Sequence, residues 1–130
     1  MITHQIHYSE GIAVVRWQGK VSDSDLPPAV RALFEGGEWE PGFSVFIDAR
    51  EADLVEITPH GLRTVAGVVA GYGHDHEGQF KTAMVVSRDL TFGMGRMYEV
   101  YSEASQETLR VFRDLQQALH WVGAPPDFLE

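Results

Sequence analysis

The segment from Lys81 to Tyr101, KTAMVVSRDLTFGMGRMYEVY, limits the fold more than any other part of the chain, because it runs an apolar strand through a short polar turn into an amphipathic helix. Ala83, Met84, Val85 and Val86 form an unbroken apolar run. A strand of that kind needs cover on both faces, as it has in the interior of a mostly parallel sheet. Met94, Met97, Tyr98 and Tyr101 then recur at helical spacing and mark one buried face. Between strand and helix, Ser87, Arg88, Asp89 and Thr91 fall at the carboxyl end of the strand, where open α/β sheets place their ligands.

The remaining segments continue this alternation. Gln5 to Ser9 and Ile12 to Gln18 read as two short strands joined tightly by Ser9, Glu10 and Gly11, an antiparallel hairpin ended by Gly19, with Arg16 near a sheet end. Ser22 to Asp25 offer helix-capping side chains, Pro27 and Pro28 suit a first turn, and Val30, Leu33 and Phe34 form a stripe stopped by Gly36 and Gly37. Phe43 to Asp48 is the next apolar strand, followed by a loop from Ala49 to Ile57. Thr58 and Pro59 start a helix whose inner face is Leu62, Val65, Ala66 and Val69. Gly71 to Gly78 is a polar loop, Phe92 to Ser102 a helix, and Thr108 to Phe112 a strand. Asp114 caps a last helix with Leu115, Ala118, Leu119 and Val122 inward, ended by Gly123. The expected fold is α/β: one mixed, mostly parallel five-stranded sheet with an N-terminal antiparallel hairpin and about four helices. Phe43 to Asp48 and Lys81 to Val86 are its interior strands.

Composition removes several functional classes. A chain of 130 residues, 44% hydrophobic and 22% charged, is the size of one domain, residues 1–130, with a core of its own. It has no cysteine, which excludes disulfides, thiolate nucleophiles and cysteine zinc sites and fits a reducing compartment. The N-terminal MITHQIHYSEG lacks signal-peptide character and no apolar run reaches membrane-spanning length, so a cytoplasmic protein without a membrane span is expected. A formal charge of -9 repels phosphate backbones, so nucleic acid is not an expected partner.

The order of elements, the strand FSVFIDAR with its loop into TPHGLRTV, the segment KTAMVVSRDLTFGMGRMYEVY and the closing VFRDLQQALHWV together resemble the SpoIIAA-like family of the STAS superfamily, the sulfate-transporter and anti-sigma-factor-antagonist domains. The resemblance covers almost the whole chain. It implies a small sheet-and-helix domain related to regulators that bind partner proteins, and more distantly to lipid-binding folds. Regulatory STAS domains carry a phosphorylated serine at the start of the second helix. Here that stretch reads Thr58-Pro59-His60-Gly61-Leu62, with His60 where the serine would be. Thr58 is an alternative acceptor, although its role as a helix cap already explains it.

No reaction is declared by the remaining polar residues. A serine, histidine and acid arrangement or a pair of suitably spaced carboxylates cannot be picked out, so the chain is not expected to be an enzyme, and no cofactor is implied. Asp48, Arg50, Ser87, Arg88, Thr91 and Arg96 should lie near the carboxyl edge of the sheet; with Thr58 and His60 they make up the expected ligand or partner surface. Within it, Arg96 is expected to fix the turn from Ser87, paired with Asp89 or Glu99 if its role is structural, while the start of the Phe92 helix favours an anion. Gly93 and Gly95 read as close helix packing, since no P-loop lysine accompanies them. The methionine and tyrosine stripe reads as core, with a groove or a subunit contact in a homodimer as the alternative.

The leading expectation is a non-enzymatic regulatory or interaction domain whose partner is a protein, docking around Thr58 to Leu62 and Phe92 to Tyr98. The other is a carrier or sensor of a small apolar or anionic ligand, held between the Phe92 helix and its neighbours. A contiguous apolar cavity favours the carrier, whereas a filled core with an exposed apolar patch favours the interaction domain. His74, Asp75, His76 and Glu77 carry metal-ligand chemistry, but adjacent loop residues cannot all converge on one ion, and a solvated turn accounts for them. Purified protein is accordingly expected to hold no stoichiometric zinc. Elemental analysis finding about one ion per chain, lost when His74 and His76 are both changed to alanine, would overturn that reading.

Overall fold

Burial on both faces determines the order of the strands. In the computed structural model, which describes residues 1–72, 80–104 and 107–129, five strands form one sheet in the order β1-β2-β3-β4-β5. They are β1 (Ile2–His7), β2 (Ile12–Lys20), β3 (Ser44–Asp53), β4 (Phe80–Val85) and β5 (Glu107–Phe112). The first pair is antiparallel and the other three are parallel. Four helices alternate with them: α1 (Leu26–Glu35), α2 (Pro59–Tyr72), α3 (Asp89–Tyr101) and α4 (Leu115–Val122).

The register sorts the side chains between two layers. Pairing of Val15 with Ile47 and of Ile47 with Met84 aligns one inward row, and Val14, Phe46 and Ala83 align the row on the opposite face. The first row meets Leu26 and Leu33 of α1, Leu62 and Val65 of α2, and the inner side of α3. The second meets Ala118 and Leu119 of α4. Phe46, Ala83 and Val85 are fully buried, and removing each larger side chain of this kind from water contributes about 1.5–3 kcal/mol. The expected interior strands therefore occupy the interior of the sheet.

Several boundaries differ from the sequence reading. The loop expected from Ala49 to Ile57 is in its first half a continuation of β3, which runs to Asp53, and β2 passes Gly19 to reach Lys20. Beyond an irregularity between Arg16 and Gln18, the two strands pair again from Gln18 with Glu51 to Lys20 with Asp53. Ala49 and Ala52 are buried there, so packing and ladder hydrogen bonds outweigh the poor strand propensity of AREAD. β1 likewise starts at Ile2 rather than Gln5, because Ile2 pairs with Trp17 across the hairpin. Finally, α3 begins at Asp89 rather than Phe92, with Arg88 as its extended N-cap residue. An acidic residue in a first turn complements the helix dipole, and Asp89 is held by Arg113 at 2.9 Å.

The packing of α3 on β5 depends on a missing methyl group. A Cβ on Gly95 would lie 2.6 Å from the Val111 side chain, whereas one on the exposed Gly93 would meet nothing within 4 Å. The two helical glycines should therefore respond in opposite ways to alanine. Gly93→Ala is expected to stabilise the protein by about 0.5–1 kcal/mol through helix propensity. Gly95→Ala is expected to destabilise it by about 1–3 kcal/mol through overpacking, partly relieved by Val111→Ala. Urea denaturation of the variants measures both effects, and equal stabilisation would show that α3 does not approach β5 this closely.

Candidate functional site

On the face of the sheet covered by α1, α2 and α3, the large side chains do not fill all the space. A cavity of about 80 Å³ remains, bounded by Trp17 and Met84 on the sheet, Val30 on α1, Val65 on α2, and Met94 and Tyr98 on α3. Its walls are almost wholly apolar. One water-sized group needs on the order of 10–15 Å³ of such space, so the cavity admits about six, and apolar cavities of this kind stay dry and accept apolar guests.

One ionisable acid breaks the apolar wall. Glu107 opens β5 on the same face as Leu109, since strand residues two apart share a face, and it is only 8% exposed. The Thr82 hydroxyl of β4 donates to its Oε2 at 2.6 Å, and the Tyr98 hydroxyl of α3 interacts with the same carboxyl. Burial pushes Glu107 up from 4.5 to about 7, against the pull of the two hydroxyls. The Tyr98 hydroxyl is raised well above its ordinary value, chiefly by burial and further by the Glu107 charge and hydrogen bond. Near neutral pH this end of the cavity therefore passes between a neutral acid and a carboxylate.

A separate polar site lies midway along β2 and β3, level with the carboxyl end of β4. Arg16 and Asp48 pair in register and continue the row of Val14 and Phe46, on the α4 side of the sheet. Arg50 grips Asp48 with two hydrogen bonds of 2.9 Å, from Nε and from a terminal nitrogen, while Arg16 approaches to 3.4 Å. Burial raises the Asp48 carboxyl, but hydrogen bonds from the Arg50 side chain and backbone, with the charges of Arg50 and Arg16, outweigh it and hold the acid below its ordinary value. With Gln18 and Glu51 these residues line a shallow polar groove. Both guanidiniums are committed to Asp48, so the groove has little positive charge left for an anion.

The start of α2 is closed by an acid of its own. Asp23 accepts the Thr58 backbone N–H at 2.9 Å and the Thr58 hydroxyl at 2.5 Å, and Thr58 Oγ1 in turn accepts from the Gly61 N–H at 3.1 Å. A Cβ on Gly61 would lie 2.0 Å from the Asp23 carboxylate, so only glycine leaves room for it. His60 is exposed beside this lock.

The eight residues expected to form one surface are thus dispersed. Asp48, Arg50 and Ser87 meet, the last by donating its hydroxyl to the Arg50 carbonyl at 2.7 Å. Thr58 and His60 belong to the α2 start. Arg88 caps α3, Thr91 lies in its first turn, and Arg96 is 64% exposed, forming a 3.5 Å pair with Glu99 rather than with Asp89. Of the eight, the seven whose side chains are described do not line the cavity. Residues 74–77, the stretch weighed for metal, lie outside the described residues, and among those described no group of three or more His, Asp or Glu side chains is arranged to hold a metal. No described helix is long and apolar enough to cross a membrane. Glu107 was missed because it directly precedes the expected TLRVF strand; extending that strand's alternation by one residue places it inward with Leu109 and Val111.

The sequence matches no known protein-family profile, and it matches none of the curated proteins. In three dimensions the chain is similar to an uncharacterized protein of the DUF3478 family with a SpoIIAA-like fold from Shewanella loihica PV-4, with a TM-score of 0.58 over 94% of this chain and 92% of that one and 17% identical residues. The fold is SpoIIAA-like, as the sequence resemblance implied.

The buried acid should leave a mark on stability. Glu107 ionises near 4.5 when unfolded but near 7 in the fold, so between those values the folded protein holds the extra proton. Its contribution is complete below about pH 4.5 and is lost as pH rises through about 7, a change on the order of 3 kcal/mol. Glu107→Gln should remove this slope, so that the variant gains on the wild type as pH rises from 4.5 to 8. Denaturant midpoints across that range measure the difference, and parallel curves would show that Glu107 is not buried as described.

Proposed function

We propose that the protein is a carrier or sensor of a small apolar molecule, held between the sheet and helices α1 to α3, and that it acts by binding rather than by chemistry. The observation that carries this reading is the contiguous apolar cavity, the feature expected of a carrier. The large apolar side chains left exposed among the described residues, Met1, Tyr8, Val55 and Val100, belong to four different segments, which gives less support to a docking patch for a protein partner. A STAS-type phosphoswitch is also disfavoured. The Thr58 hydroxyl is engaged by Asp23 and Gly61, and a phosphate there would sit against the Asp23 carboxylate.

Helix α3 favours a sensor over a passive store. Met94, Gly95 and Tyr98 line the cavity while Arg88 and Arg96 of the same segment face solvent, so occupancy of the cavity bears on the surface from Ser87 to Arg96. In this reading a partner would recognise the loaded protein at that surface, which joins the two expectations drawn from the sequence.

Methylcyclopentane, with six carbons, is a fitting neutral probe. At about 100 times its dissociation constant it should stabilise the protein by about 2.7 kcal/mol, raising Tm by several degrees. Val65→Phe, which fills the cavity from α2, should abolish that rise, and Met94→Phe should do so from α3. Persistence of the shift in both folded variants would place binding elsewhere and sink the proposal.

A further inference from the structure

The two edges of the sheet are finished differently. At β5 the Phe112 carbonyl accepts the Val86 N–H at 2.9 Å, so Phe112 faces β4 and Val111, one residue away, turns its own N–H outward. Glu99 of α3 accepts that N–H at 2.8 Å, Arg96 pairs with the same carboxylate, and the strand itself carries Glu107 and Arg110. Charge and capping of this kind keep a sheet edge from recruiting another strand. The β1 edge has no such protection. Among the five described strands β1 alone contains no Asp, Glu, Lys or Arg; it has no proline, and it pairs with β2 from Ile2 to His7 without a bulge.

The hairpin fixes which groups of β1 face outward. The Gln18 N–H donates to the Met1 carbonyl at 2.9 Å and the Met1 amino group donates to the Gln18 carbonyl at 2.6 Å. By antiparallel alternation Thr3, Gln5 and His7 also bond to β2, while the N–H and C=O groups of Ile2, His4 and Ile6 point away from the sheet. β1 ends the strand order, so no described strand meets them. Ile2 and Ile6 lie symmetrically about His4. A copy related by a two-fold axis at His4 therefore sets Ile2 opposite Ile6 of the second copy and His4 opposite its own counterpart, and each outward N–H meets a carbonyl. Ile2, His4 and Ile6 share one face of the strand, where Ile2 and Ile6 already pack against the core beneath α1.

We infer that β1 is the docking edge for a second copy of this chain, paired antiparallel about His4 so that two sheets become one. Charge selects the occupant. Each copy carries -9, and pairing through the strand without charged side chains lets two copies meet with no like charges directly opposed. An acidic or basic segment would find no complementary charge on this strand. The inference goes beyond the carrier reading and does not depend on it.

The chain has no cysteine, so a single introduced cysteine reports a single contact. The Cα atoms of a directly opposed hydrogen-bonded pair lie about 5.5 Å apart, within the span of about 4.4–6.8 Å that a disulfide bridges. Oxidised His4→Cys should therefore run as a covalent dimer in non-reducing denaturing electrophoresis. Gln5→Cys, placed opposite Thr3 of the second copy, leaves its two sulfurs out of reach and should stay uncrosslinked. Analytical ultracentrifugation of the unaltered chain should show a dimer at micromolar concentration. His4→Pro removes only an outward N–H, which an edge strand tolerates, and His4→Glu opposes two like charges across the axis. Both should keep the circular dichroism of the unaltered chain and weaken dimerisation at least tenfold. A chain that stays monomeric would overturn the inference, as would a dimer that crosslinks equally through either cysteine or survives both substitutions. Binding of methylcyclopentane by a strictly monomeric chain would overturn it and leave the carrier reading standing. The two cysteine variants keep the inference falsifiable even if His4→Pro does not fold.

Discussion

Exclusion of water from both faces of β3 and β4 is the constraint from which the rest of this structure follows. Parallel strands this apolar cannot leave a face in solvent, so one helix covers the α4 side and three helices must share the other. Three helices on one twisted sheet do not meet at a point. Space persists where they diverge, and the cavity lies there. Its apolar lining is therefore not an addition to the core but the part of the core that the three helices leave open.

The same geometry places the polar residues. Side chains on neighbouring strands can reach one another only where the register sets them side by side, as it does Arg16 and Asp48, with Arg50 two residues on. Glu107 is different, since it enters the interior at the amino end of an edge strand. An acid there costs more than an acid at a loop, and the two hydroxyls that meet it recover only part of that cost. Structures retain costly buried groups mostly where a ligand or a reaction uses them, so the position of Glu107 carries more functional weight than the exposed arginines of α3.

Much of the fold was legible because apolar periodicity is a local property. The run from Ala83 to Val86 and the stripe of Leu62, Val65, Ala66 and Val69 each report their own environment, and both elements lie where those patterns put them. The continuation of β3 through Ala49 to Asp53 was not legible, because those residues are strand only by virtue of the partner from Gln18 to Lys20. The candidate site was legible only in part, for a related reason. Asp48, Arg50 and Ser87, expected near the carboxyl edge, do touch one another, yet a cavity is a volume left between elements and has no residue pattern of its own. Tyr98 was read as core and Glu107 lay outside the strand as drawn. Their interaction joins two segments that no spacing connects.

The contact between Asp23 and Gly61 has a consequence for the descent of this chain. The carboxylate stands where a side chain at position 61 would otherwise begin, and the free Thr58 amide it satisfies exists because Pro59 starts the helix. Neither position is independently free to vary. A lineage that loses the acid removes the reason for the glycine, and one that gains a side chain at the glycine evicts the acid. Among homologous sequences the two positions should therefore change as a linked pair, and a chain keeping Asp23 with a bulkier residue at 61 would have to begin its second helix in another way.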